Sequence, residues 1–170
     1  RDSELRFRMI TEASLVGVYM FQDDNKFSYV NPALAKIFGY TSDELIHTLG
    51  PLDLTHPDDR PLVTKYIRHR FEGELESTHY TFRGVRKDGT IIHCESLGNC
   101  VEYRGRLVII GTLLDITLRM QAEAALRQSE RRLSVYNQIA QVFLTVPDEE
   151  MYDKVLQIIL EVLDSCRAVI

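Results

Sequence analysis

From Leu107 to Leu114 the chain is apolar at both parities, with Leu107, Ile109 and Leu113 alternating with Val108, Ile110 and Leu114. A β-branched run of that length is a strand, and a strand apolar on both sides needs both faces of its sheet covered. Directly after it, Asp115-Ile116-Thr117 leads into a long stretch with charges on one side and a thin apolar seam on the other, which is a helix. An Asp or Thr at such a joint can accept hydrogen bonds from the first free N–H groups of the helix, and the Asp charge also favours the helix N-terminus. A strand fused to a long helix can carry mechanical information out of a domain. The chain before the joint therefore reads as a sensor and the chain after it as a lever.

The elements upstream define the sheet. Leu5, Met9 and Ala13 recur at helical spacing, so 1–14 is expected to be an N-terminal amphipathic helix. Val16 to Phe21 and Lys26 to Val30 flank the turn residues Asp23, Asp24 and Asn25 and form a hairpin. Asn31-Pro32 then opens a helix, Asn as N-cap and Pro at the first helical position, with Leu34 and Phe38 on its apolar face and Gly39 as its stop. Thr41 or Ser42 caps a second short helix. A longer helix starts at His56-Pro57-Asp58-Asp59 and runs towards Phe71, its acidic pair read as cap and dipole complement. Three strands follow at 75–86, 91–103 and 106–114, separated by Lys87-Asp88-Gly89 and Arg104-Gly105. The expected fold is α+β, a five-stranded antiparallel sheet with helices wrapped on one face. The outer face then needs the N-terminal helix or another subunit.

The series Asn31-Pro32-Ala33, Phe38-Gly39-Tyr40 with Asp43-Glu44-Leu45, His56-Pro57-Asp58-Asp59-Arg60, Arg86-Lys87-Asp88-Gly89 and Asp115-Ile116-Thr117 resembles a PAS domain with its PAC half. The resemblance covers about Leu15 to Leu118 and makes 15–118 the sensory domain. It implies a module that holds a small molecule or a partner between sheet and helices and alters an attached effector. The parent would be a larger signal-transduction protein, such as a histidine kinase of a two-component system or a cyclic-nucleotide enzyme. It also implies that Asp115, Ile116 and Thr117 form the signal relay.

Strand parity suggests where such a molecule would sit. If Ile92 faces inward, so do Cys94, Ser96, Gly98 and Cys100, a set of small side chains that leaves room for a ligand. The expected pocket residues are Met20, Leu34, Phe38, Tyr80, Phe82, Cys94, Ser96, Gly98, Ile109 and Gly111. The alternative is that bulky neighbours such as Tyr80, Phe82, Phe38 and Met20 fill the gap, leaving an unliganded interaction scaffold.

Haem sensors of this family supply an axial His from the middle of the long helix, but Leu62 to Arg68 contains none; His56 and His69 lie at the ends, which argues against haem. LOV-type flavin chemistry needs a Cys before that helix, and 47–56 has none. Zinc-ligand spacing, a phosphate-binding Gly-rich loop and a nucleophile elbow are absent from the sequence, and the lever carries no His for phosphotransfer, so no catalysis and no metal site are expected in this piece.

Beyond the joint, Ala122, Leu126, Ser129, Leu133, Tyr136, Ala140 and Phe143 alternate at spacings of four and three, a coiled-coil seam that is weak near the joint. The expectation is a homodimer through a signalling helix at 119–146; the alternative is a helix folded back on its own sheet. Pro147 ends this helix, and 147–170 carries a wide apolar stripe that resembles the helical start of a GAF domain, with a C-terminal effector beyond.

Net charge is −5 with acidic and basic residues interspersed, so no nucleic-acid footprint is visible. No apolar run is long enough to span a bilayer. Cys94, Cys100 and Cys166 form no CxxC pair and are odd in number. Cys94 and Cys100 on one strand would stand about 20 Å apart, beyond disulfide reach, so a reducing, cytoplasmic setting is expected.

Overall fold

The computed structural model describes residues 11, 12, 14–74, 77–145, 156–158 and 160. The chain divides into two compact units, 1–118 and 119–170. The first holds a five-stranded antiparallel sheet, as its sequence pattern requires. β1 (Gly17–Phe21) and β2 (Phe27–Val30) form the first hairpin. β3 (Ser77–Val85), β4 (Ile91–Tyr103) and β5 (Arg106–Asp115) form a meander, and the spatial order is β2-β1-β5-β4-β3. β5 thus lies in the centre, between β1 and β4. The β4–β5 turn has positive φ at both Arg104 and Gly105, the geometry that matches the right-handed twist of a tight hairpin.

Between the hairpin and the meander run α1 (Pro32–Phe38), α2 (Ser42–Leu45), a 3-10 turn (Pro57–Asp59) and α3 (Arg60–Phe71). The caps are those expected: the Asn31 side chain accepts from the N–H of Leu34, Gly39 closes α1 in the left-handed conformation, and Thr41 with Glu44 forms a full capping box. The core lies between these helices and the inner face of the sheet, with Phe21, Leu34, Phe38, Leu45, Val63 and Ile109 fully buried. On the outer face Leu97, Ile110 and Leu114 remain 51%, 37% and 38% exposed. The N-terminal helix expected over 1–14 lies outside the described residues, apart from 11, 12 and 14.

The start of α3 corrects one sequence expectation. Asp59 makes no capping hydrogen bond. Its carboxylate instead accepts from the Arg83 main-chain N–H at 2.7 Å and from the Arg83 guanidinium at 2.7 and 3.1 Å, tying the helix to β3. The hydrogen bond from Arg83 is the strongest influence on this carboxyl; burial opposes it, yet the group is held at about 2. The folded value is below that of the unfolded chain, so the unfolded state binds the extra proton first. The stabilisation is therefore complete above about pH 4 and disappears as pH falls through about 2. Denaturation midpoints measured from pH 5 to pH 2 are expected to fall more steeply for the native sequence than for Asp59→Asn. Parallel curves would contradict the assignment.

In the second unit, α4 (Thr117–Thr145) is one continuous helix, and residues 156–158 and 160 are helical. Ala122, Leu126, Ser129, Leu133, Tyr136 and Ala140 all lie at its surface, with Leu126, Leu133 and Tyr136 about 60% exposed. The Phe143 side chain and most of the GAF-like segment expected over 147–170 lie outside the described residues.

Candidate functional site

The inner face of the sheet is the only surface on which most of the expected pocket residues meet. Cys94 and Ser96 of β4, Ile109 of β5, and Leu34 and Phe38 of α1 are at most 1% exposed, and Phe82 is buried beside them. Tyr80 is half-buried, its ring stacked on Tyr66 of α3 at 4.5 Å between centroids. Gly98 and Gly111 are directly paired across β4 and β5. Met20 is placed elsewhere: it pairs with Ile110 and shares that residue's outer face, because Tyr19 and Phe21 take the inward positions of β1.

The space left by the small residues is largely filled. A Cβ added to Gly111 would stand 2.3 Å from the Tyr19 hydroxyl, one on Gly98 2.4 Å from Arg70 Nη1, and one on Gly84 2.9 Å from Phe38. What remains is a cavity of about 20 Å³ lined by Tyr19, Leu34, Phe38, Tyr80, Phe82 and Ser96, among others. That volume holds a single water molecule.

Two residues absent from the expected pocket therefore shape the site, Tyr19 and Arg70. Tyr19 Oη shares a hydrogen bond with Ser96 Oγ at 2.9 Å. Arg70 is 1% exposed; its Nε donates to the Tyr66 carbonyl at 3.2 Å, and its Nη1 has no partner. Arg70 follows Val63 and Ile67 on the buried stripe of α3, and a basic residue on an apolar helical stripe was the signal available in the sequence. Burial, reinforced by Tyr19 and opposed by Arg70, pushes the Tyr80 hydroxyl up to about 12. Burial, with Asp115 adding to it, pushes the Cys94 thiol up to about 12, which leaves it protonated and inert.

Along the inner face these groups lie in sequence. Ser96 and Leu113 face the small cavity, the Gly98–Gly111 pair comes next beneath Arg70 and Tyr19, and then the Cys100–Ile109 pair. Beyond it, where β5 begins, an open groove of about 950 Å³ runs between α3 and the β4–β5 turn. Leu52, Ile67, Phe71 and Leu107 give the groove an apolar floor, while Arg68, Arg106, Asp23 and Glu72 line it with charge. Arg70 and Tyr19 thus stand in the layer between the small cavity and the groove.

Elsewhere, among the described residues, His69, Glu72 and Glu74 gather at the end of α3. There His69 is already paired with Glu74, and Glu72 with Arg68.

The exit of the sheet is held tightly. Asp115 Oδ1 accepts from the Thr117 N–H at 2.9 Å, and Oδ2 from Arg86 Nη2 at 2.9 Å. Ile116 is buried, and its N–H donates to the His93 carbonyl at 2.8 Å. The Thr117 hydroxyl accepts from the His93 N–H at 2.9 Å. Burial raises the Asp115 carboxyl, but the hydrogen bonds from Thr117 and Arg86 win and hold it below the usual range. Asp115, Ile116 and Thr117 therefore tie the start of α4 to β4 and to the β3–β4 turn.

A sequence profile of the PAS fold matches residues 27–113, the span from β2 into the central strand. The chain is 26% identical over 121 residues to the oxygen sensor protein DosP of Escherichia coli (strain K12), covering 69% of this chain and 15% of that protein. It is 26% identical over 133 residues to the sensor histidine kinase TmoS of Ectopseudomonas mendocina, covering 77% of this chain and 14% of that one. It thus spans about a seventh of the length of these relatives. Among solved structures, a PAS domain from Colwellia psychrerythraea superposes with a TM-score of 0.61 at 18% identity, covering 69% of this chain and 98% of that one. A sensory box histidine kinase/response regulator from Burkholderia thailandensis E264 gives 0.56 at 25% identity, covering 76% and 98%. With the sheet order, the wrapped helices and the Asp115-Ile116-Thr117 exit already in place, these matches show that the chain belongs to the PAS fold family and carries a PAS sensory domain.

Proposed function

We propose that this domain is the sensory and dimerisation module of a larger signal-transduction protein. It binds a small molecule on the inner face of its sheet and passes the bound state through Asp115, Ile116 and Thr117 to α4. The observation that carries this reading is the joint, where His93 of β4 holds both Ile116, the residue between strand and helix, and the first helical hydroxyl, that of Thr117. A change in the spacing of β4 and β5 cannot leave the start of α4 where it was. The similarity to a sensor histidine kinase and an oxygen sensor supports an effector domain downstream, and a cytoplasmic setting accords with the absence, among the described residues, of any helix long and apolar enough to cross a membrane. In the working assembly, the exposed seam from Ala122 to Ala140 packs against its copy on a second chain, continuing through Phe143. That contact is loose beside the sensor and firmer beyond Leu133.

A second reading has its own support: the 20 Å³ cavity suits a PAS core filled by its own side chains, which would serve as a protein-interaction scaffold. The joint and the dimer are tested together. Asp115→Ala removes one helix-capping acceptor and the Arg86 ion pair, and is expected to cost about 1 kcal/mol of stability. It is expected to uncouple the parent's output while leaving ligand uptake intact; equal loss of both would make Asp115 a fold residue only. Size-exclusion chromatography with light scattering is expected to give a dimer, weakened by Leu133→Glu. A monomer at high concentration would sink the dimer.

A further inference from the structure

We propose that Arg70 is the anchor for the carboxylate of a small acid with an apolar body, admitted from the groove between α3 and the β4–β5 turn. This deepens the sensory reading and rests on it.

Among the described residues the guanidinium is the one buried cation, and none of them neutralises it. Arg70 is 1% exposed, its Nη1 is without a hydrogen-bond partner, and among the described residues no carboxylate forms an ion pair with it. A buried charge left unpaired is costly, and a chain that only needed to fill this space would do better with an apolar side chain of similar volume. The neighbouring groups supply no negative charge. The Tyr19 and Ser96 hydroxyls are engaged with each other. Burial holds the Tyr80 hydroxyl protonated, and burial raises the Cys100 thiol too, against the pull of Arg70. The described residues around Arg70 thus leave its charge without a counter-charge, and a bound acid would supply one.

The route to it is short. Arg70 stands over Gly98, and only the Cys100–Ile109 pair separates that layer from the start of β5, where Leu107 lines the groove. The groove is of the size that accepts small organic ligands. Its floor of Leu52, Ile67, Phe71 and Leu107 would cover an aliphatic or aromatic body. Arg68 and Arg106 at its margin outnumber no carboxylates, since Asp23 and Glu72 stand there too. The selection for an anion therefore falls to Arg70, whose planar donors match a carboxylate.

The test is a titration of the intact chain with straight-chain monocarboxylates from acetate to decanoate and with benzoate, each beside its primary amide as the neutral counterpart. Binding is read by thermal shift and by the Arg70 Nε–H resonance in a ¹⁵N spectrum. Longer acids and benzoate are expected to bind about tenfold or more tightly than their amides, and to move the Arg70 resonance. Arg70→Met is expected to fold, by circular dichroism, and to lose that preference; Arg70→Lys, which keeps the charge, guards against loss of fold and should retain part of it. Equal binding of acids and amides, or unchanged acid affinity in Arg70→Met, overturns the carboxylate anchor while leaving small-molecule sensing intact. No binding of either class overturns the anchor and counts against sensing as well.

Discussion

Asn31→Ala is expected to destabilise the domain by about 4 kcal/mol, several times the roughly 1 kcal/mol that loss of a helix N-cap alone costs. The reason is the number of groups that one buried amide satisfies. Asn31 Oδ1 accepts from the N–H of Leu34 at 3.0 Å, which caps α1, and from the N–H of Val18 at 2.8 Å, which belongs to β1. Its Nδ2 donates to the carbonyls of Thr11 at 2.8 Å and Val16 at 3.0 Å. The residue is fully buried, so truncation strands two donors and two acceptors away from water. Asn31→Asp keeps both acceptor bonds but sets a charge against two carbonyls, and is expected to fall between the native protein and Asn31→Ala. Urea denaturation followed by circular dichroism measures all three. A loss near 1 kcal/mol for the alanine variant would mean that only the cap matters.

The second large effect concerns the glycine pair under Arg70 and Tyr19. In Gly111→Ala the new Cβ meets the Tyr19 hydroxyl at 2.3 Å, its ring at 2.4 Å and the Leu97 carbonyl at 2.9 Å, and a ring packed in the core cannot step aside cheaply. A loss of about 3 kcal/mol is expected, at the upper end for overpacking. Gly98→Ala meets the end of the flexible Arg70 side chain instead, and is expected to cost about 1 kcal/mol. Tyr19→Ala, itself destabilising through the cavity it opens, should cut most of the cost of Gly111→Ala, leaving the contact with the Leu97 carbonyl. That non-additivity, measured in a double-mutant cycle, identifies the contact. Additive losses would show that Gly111 is required for some reason other than Tyr19.

These two cases mark where the sequence was readable. The cap at the joint was legible because it is local, Asp115 accepting from the N–H of Thr117 two residues on, whereas the bonds to His93 and Arg86 are long-range and were not. The five strands and the short helices were legible from alternation, turn residues and caps. Met20 was misplaced because β1 is bulky at both parities, and only its pairing with β5 decides that Tyr19 and Phe21 face inward. Asp59 looked like a cap because its partner, Arg83, is remote in sequence and comes near only when β3 docks on α3. Arg70 was misread for a related reason: next to Arg68 it reads as part of a solvated helix face, and only the approach of Gly98 and Tyr66 shows it to be interior, 1% exposed. The small residues of β4 mark the space that Tyr19 and Arg70 occupy.

The claim that this PAS core holds a small molecule is tested most directly by native mass spectrometry of freshly purified protein, compared with the same sample after denaturation. The account predicts a folded mass that exceeds the chain, or a pair of chains, by a discrete small-molecule increment that is released on unfolding. A folded mass equal to the bare polypeptide under gentle ionisation, in protein taken directly from cells, would contradict it and leave the side-chain-filled scaffold as the correct reading.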